Sequence, residues 1–140
     1  MIDWKEVASY AVILIIVLLA AQHLNVVVSG SMEPAFYRGD IVLVEKAGFL
    51  GIDEFNPEDV QIGDVVVYDA AWFDQPVIHR IIDIRDINGT TLYLIKGDNN
   101  DHPDPYYVKS SQIKEKVVTF GDNLVVIPKI GYLSLWLRGL

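Results

Sequence analysis

Apolar positions along this chain form one long block followed by a series of short runs, and the two patterns predict different structures. From Val7 to Met32 no Asp, Glu, Lys or Arg occurs, and VASYAVILIIVLLAA (Val7–Ala21) is apolar almost throughout. A helix over Val7–Val28 would extend roughly 33 Å at about 1.5 Å per residue, enough for a hydrocarbon core. Gln22, His23 and Asn25 make its far end more polar, while Trp4 and Tyr10 suit a bilayer interface. A cleavable signal peptide fits less well: it wants a basic start and small residues at −3 and −1, whereas two acids here stand against one Lys and no A-x-A follows the apolar core. A core helix this apolar all round would need a larger protein to surround it. The expectation is a transmembrane anchor within residues 1–28, followed by one domain over 29–140.

That domain reads as mainly β. Ile41–Glu45, Val65–Tyr68, Val77–Arg85, Thr91–Lys96, Lys116–Phe120 and Leu124–Ile127 are short runs rich in β-branched residues, most of them separated by Gly, Pro, Asn or Asp. Asn88-Gly89 between two runs predicts a tight hairpin, because a primed turn needs positive φ. Asn88-Gly89-Thr90 is also an N-glycosylation sequon, although the turn accounts for both Asn and Gly. The tail Ile130–Leu140 is apolar but too short to span a bilayer. It is expected to pack on the domain, to lie at the membrane surface, or to continue in a longer native chain.

Composition narrows the partners. The chain has 140 residues and a formal net charge of −8, nearly all of it beyond the apolar block. Such a surface repels phosphate backbones, and no Lys/Arg cluster offsets it, so nucleic acid is not expected as a partner. With no cysteine, disulfides, thiolate metal sites and thiol catalysis are all excluded. Lys5 is the only base before the apolar block, while Arg38 and Lys46 follow it. The positive-inside rule thus gives no support to a cytoplasmic N-terminus.

The candidate chemistry begins just after the block, at Ser29-Gly30-Ser31-Met32-Glu33-Pro34. A serine hydroxyl needs a neighbouring base to become a nucleophile. A Ser-Gly-Ser turn can expose one and aim backbone N–H groups at an oxyanion, though most such tripeptides are ordinary loops. His79 alternates along its strand with Val77 and Ile81, which places all three on one face. Spacing alone reads it as a core histidine with a satisfied hydrogen bond, or as a base whose apolar surroundings keep it neutral. His23 reads as interfacial. Asp40 and Asp64 read as turn or strand-opening residues. The loop Gly97-Asp98-Asn99-Asn100-Asp101-His102-Pro103-Asp104 suggests calcium, but with Asp98 at the first EF-hand position Pro103 falls where Gly is needed and Lys109 where Glu is needed. No metal or organic cofactor is expected.

Taken together, S-G-S-M-E-P before Arg38-Gly39-Asp40, the strand Ile62-Gly63-Asp64-Val65-Val66-Val67-Tyr68, the segment Val77-Ile78-His79-Arg80-Ile81-Ile82, the acidic loop and Ile127-Pro128-Lys129-Ile130-Gly131 resemble, in order, the boxes of type I signal peptidases. Val28 departs from the Pro that many bacterial members carry. His-Arg instead of Lys-Arg resembles the archaeal and eukaryotic-microsomal branch. The resemblance implies a signal-peptidase-like β-domain on one N-terminal transmembrane helix. It implies a serine endopeptidase that removes signal peptides from exported proteins, with Ser31 as nucleophile, Ser29 in the oxyanion hole and His79 as general base. The orienting carboxylate is Asp104 first and Asp98 second, with Asp101 exposed. The resemblance also implies preprotein signal peptides, membrane lipid and accessory subunits as partners, and a single-pass protein of the cell membrane with its catalytic domain on the extracytoplasmic side.

Two other classes fit parts of the pattern. Self-cleaving repressors share the serine-based β-fold, but they use Lys as base and usually carry a DNA-binding domain for which this chain has no room. A non-catalytic membrane adaptor, or an inactive relative that binds signal peptides, would not need Ser31, His79, Asp98 and Asp104 intact.

Overall fold

The computed structural model describes all residues, Met1–Leu140. Helix α1 covers Trp4–Ala21. Its N-cap is Asp3, whose side chain accepts from the Lys5 N–H and so satisfies one orphan donor of the first turn. None of its residues is buried, so the chain itself does not cover this apolar surface. At 18 residues it is long and apolar enough to cross a membrane.

The helix is shorter than the expected Val7–Val28. It stops at Ala21, and Leu24–Val26 form strand β1. Polar side chains explain the break. The Asn25 amide donates to Glu115. His23 bridges Leu19 O, 2.9 Å from its Nδ1, and the Glu54 carboxylate, 2.8 and 2.9 Å from its Nε2. His23 therefore fastens the helix end to the domain. Glu54 is held below the usual carboxylate range, chiefly because it accepts from the Lys46 backbone N–H.

The domain then runs β2 (Ile41–Lys46), β3 (Val65–Tyr68), β4 (Val77–Ile87), β5 (Thr90–Lys96), β6 (Val108–Lys109), β7 (Ile113–Val117), β8 (Thr119–Phe120), β9 (Asn123–Leu124), β10 (Val126–Ile127) and a short helix α2 (Tyr132–Leu137). The main sheet has the order β1-β2-β7-β3-β4-β5-β6, with β10 also paired to β2. Its pairings are all antiparallel. The mainly β fold expected from the pattern is the one observed. The hairpin is also as expected: Asn88 (φ 54°) and Gly89 (φ 77°) join β4 to β5 through the pair Ile87–Thr90. The run Lys116–Phe120 is divided between β7 and β8, and Leu124–Ile127 between β9 and β10.

Two apolar clusters lie against the sheet. One gathers Val66, Tyr68, Val77, Ile81, Tyr93 and Ile95 among its members. The other gathers Val27, Met32, Phe36, Val42, Val65 and Val117. β3 contributes to both, which is why VVVY carries no polar alternation: all four residues are buried.

Asp40, 4% exposed, fastens three segments. Its carboxylate accepts from Tyr37 N–H at 2.8 Å and Lys129 N–H at 2.9 Å, while its backbone carbonyl accepts from Val27 N–H. It thus ties the loop between β1 and β2 to the C-terminal segment. Asp40→Ala should lower stability by about 1–3 kcal/mol for each donor left without an acceptor. Chemical denaturation in detergent checks this; an unchanged midpoint would show that water replaces the carboxylate.

Candidate active site

Three side chains from three segments meet in one hydrogen-bonded row. Ser31, in the loop between β1 and β2, donates through its Oγ to His79 Nε2 at 3.0 Å. His79, on β4, donates through Nδ1 to Asp104, 2.8 Å from Oδ2 and 3.0 Å from Oδ1. Asp104 lies in the loop after β5, its backbone N–H bonded to Ile95 O. His79 and Asp104 are 5% and 7% exposed, so their bond is shielded from water and stronger for it. With Nδ1 carrying the proton, Nε2 is left as an acceptor aimed at the serine.

The loop after β5 also grips the Ser31 backbone. Asn99 N–H donates to Ser31 O at 2.8 Å, and the Asn99 amide to Gly30 O at 3.1 Å. Ser29 Oγ lies 3.2 Å from Ser31 Oγ. These residues open onto a groove of about 970 Å³, bounded by Val26, Val28, Trp72, Pro76 and Ile78 among others.

Asp98 does not meet the ring. Its carboxylate forms a two-pronged pair with Arg80, at 2.9 Å from Nε and 2.8 Å from Nη2. The reason is strand alternation: His79 and Arg80 face opposite sides of β4, and Asp98 sits on the Arg80 side. That hydrogen bond, ahead of simple charge attraction, raises the Arg80 guanidinium's affinity for its proton. Arg80 also donates to Gly63 O at 2.8 Å, so the pair braces the loop that holds Ser31. Asp101 is exposed. No group of three His, Cys, Asp or Glu side chains is placed to hold a metal ion.

Two neighbours of the row escaped sequence reasoning. The first is Tyr68, fully buried, whose hydroxyl donates to Asp104 Oδ2 at 2.6 Å. Its only signal was a tyrosine closing an apolar run, since the register that pairs Tyr68 with Val77 is not written in either strand. The second is Gly97: a Cβ there would lie 2.7 Å from Ser31 O and 2.9 Å from His79 Nε2. A glycine at a strand end is a general mark of close backbone approach.

Burial, and then the bond to Asp104, push the Tyr68 hydroxyl well above the ordinary tyrosine range. A folded-state value raised above an unfolded value of about 10 means the unfolded chain releases this proton first. The Tyr68 contribution to stability is therefore present below about pH 10 and lost above it, with a slope near 1.4 kcal/mol per pH unit for one proton. Tyr68→Phe should flatten that alkaline loss and lower turnover by about tenfold through a less constrained Asp104. Denaturation at pH 9 and 11, beside cleavage rates, checks both parts.

A hydroxyl, an imidazole and a carboxylate in this order define a serine-hydrolase type of site. The chain belongs to the signal peptidase family, peptidase S26, whose model matches residues 1–102. That match stops short of Asp104, so the acid's place in the row comes from the structure. An uncharacterised protein of Methanocaldococcus jannaschii is 35% identical over 89% of this chain and 88% of its own length. The signal peptidase complex catalytic subunits SEC11 of Eremothecium gossypii and Lachancea thermotolerans are each 39% identical, over 79% and 80% of this chain. The chain spans 62% and 64% of the lengths of those two relatives. The archaeal and eukaryotic branch expected from the sequence agrees with these relatives.

Proposed function

We propose that this chain is a membrane-anchored serine endopeptidase that removes N-terminal signal peptides from exported proteins. The observation that carries the proposal is the row Ser31–His79–Asp104 opening onto a groove, in a chain of the signal peptidase family. His79 takes the Ser31 proton as Oγ attacks the scissile carbonyl. Ser29 and the Ser31 backbone N–H hold the oxyanion. The protonated ring, stabilised by Asp104, then gives its proton to the leaving amine. Water activated by His79 releases the acyl group from Ser31. Asp98 acts at one remove, through Arg80 and the loop.

The substrate lies extended along β1, an edge strand of the sheet, with shallow apolar walls for the small side chains at −1 and −3. Helix α1 spans the bilayer once, with the domain that begins at β1 as the catalytic domain on the extracytoplasmic face. There Ser31 stands near the membrane surface at which a signal peptide's apolar core ends. The relatives' name, catalytic subunit of a complex, supports accessory subunits as partners.

The test is cleavage of a preprotein by the detergent-solubilised chain. Cutting after a small residue is expected, lost when Ser31 or His79 is replaced by Ala. Binding of the signal peptide with no cut at any pH would favour the adaptor reading instead.

A further inference from the structure

Two arginines stand apart from the other charges of the domain. Arg80 is paired with Asp98 and Arg85 with Asp83. Arg38 and Arg138 form no ion pair, in a chain with 19 acids against 11 bases. Both line the groove onto which Ser31 and His79 open. The acids of the same groove, Asp69 and Glu115, are already matched, by Lys114 at 3.9 Å and by Lys46 at 2.7 Å. The groove therefore holds two guanidiniums whose charge nothing in the chain neutralises.

Their placement follows from the chain path. Val27 gives both of its backbone groups to Asp40 O and Gly39 N. The next carbonyl, Val28 O, accepts from Arg38 Nη1 at 3.2 Å. Arg38 is thus held at the Ser29 end of the wall that β1 begins, half-buried, with its remaining N–H donors free. Arg138 reaches the groove from α2, which is docked on the residue after Arg38. Gly131 N–H donates to Gly39 O at 2.8 Å, and a Cβ on Gly39 would stand 2.4 Å from the Tyr132 ring. Glu115 sits at the other end of this wall, where it accepts from the Asn25 amide.

A guanidinium only donates, so it calls for a carboxylate or a carbonyl. Two unneutralised cations in a groove with apolar walls favour the carboxylate. A signal peptide offers none before its cut: the apolar core ends near α1, and the −1 and −3 side chains are small. With the peptide laid along β1 from α1 towards Ser31, the residues that follow the cut are the ones that can carry the acid.

We infer that, in the proposed cleavage of signal peptides on which this rests, Arg38 and Arg138 form a subsite for an acidic side chain just after the cut. Exported chains whose mature part begins with Asp or Glu are then the preferred substrates.

The test uses the detergent-solubilised full-length chain and one preprotein carrying Glu, Gln or Lys at the first or second position after the cut. The wild type should cut the better-placed Glu form about five- to tenfold faster in kcat/KM than its Gln isostere at low salt, with Lys slowest. Added salt should narrow the gap. Arg38→Gln and Arg138→Gln should each shrink the Glu-to-Gln ratio, and Arg138→Glu should place Lys ahead of Glu. Ratios are read within each variant, so a general loss of activity cancels. Arg138 is exposed, so its variants decide the matter even if Arg38→Gln, which weakens the hold on Val28 O, does not fold. A Glu-to-Gln ratio near one at both positions in the wild type, or the same ratio in wild type and Arg138→Glu, would overturn the subsite and leave signal-peptide cleavage standing. No cut in any of these preproteins would remove the peptidase reading, and the subsite with it.

Discussion

Ser31→Ala should lower preprotein cleavage by about 10⁴-fold or more, and Asp104→Asn by nearly as much. The serine case follows from the loss of the attacking oxygen. The Asp104 case depends on geometry. Its carboxylate accepts from two buried donors, His79 Nδ1–H and the Tyr68 hydroxyl. An asparagine has one acceptor oxygen. If that oxygen takes the Oδ2 place, shared by Tyr68 and His79, the NH₂ takes the Oδ1 place 3.0 Å from Nδ1 and opposes its hydrogen, a conflict relieved when the ring proton moves to Nε2. The imidazole then presents a hydrogen to Ser31 and no longer accepts one. The double variant should fall little below Ser31→Ala, because residues acting as a unit are not additive. Single-turnover cleavage, with denaturation midpoints to confirm folding, measures all three. A near-normal rate in Asp104→Asn would remove the acid from the row.

Much of this site was legible because its parts lie in contiguous segments with strong local character. Ser29 and Ser31 follow an uncharged block, and His79 interrupts an apolar strand whose alternation places it beside Val77 and Ile81. Asp98 and Asp104 stand in one short acidic loop. What local sequence does not contain is which segments meet. Both acids were candidates for the imidazole, and only the pairing of β4 with β5 puts Asp98 on the Arg80 side and Asp104 on the His79 side. Tyr68 escaped for the same reason. The end of the apolar helix was read seven residues too far along, at Val28 instead of Ala21, and its start three residues too late, at Val7 instead of Trp4. Hydrophobicity does not distinguish a helix from the β-branched strand that follows when no charge separates them. The polar residues that do mark the break, His23 and Asn25, find their partners Glu54 and Glu115 far along the chain.

Gly97→Ala should slow cleavage by about 10²-fold while leaving the fold intact. The backbone at Gly97 is not in the left-handed region, so alanine is conformationally acceptable and the effect is one of space. Its Cβ would stand 2.6 Å from the Asn100 amide nitrogen, 2.7 Å from Ser31 O and 2.9 Å from His79 Nε2. The amide of Asn100 can rotate away. Ser31 O is held by the Asn99 N–H, and the His79 ring by Asp104, so neither can yield without altering the distance between Oγ and Nε2. A misplacement near 1 Å in a reacting pair costs about 10²-fold, whereas overpacking one methyl costs about 1–3 kcal/mol of stability. The loss should therefore lie in kcat, with KM little changed, since the groove walls at Val26, Val28 and Ile78 are untouched. Steady-state kinetics on a signal-peptide substrate would separate the two constants. Wild-type kcat in Gly97→Ala would mean that the loop relaxes freely and that Ser31 and His79 are held less firmly than the Asn99 and Arg80–Asp98 contacts imply.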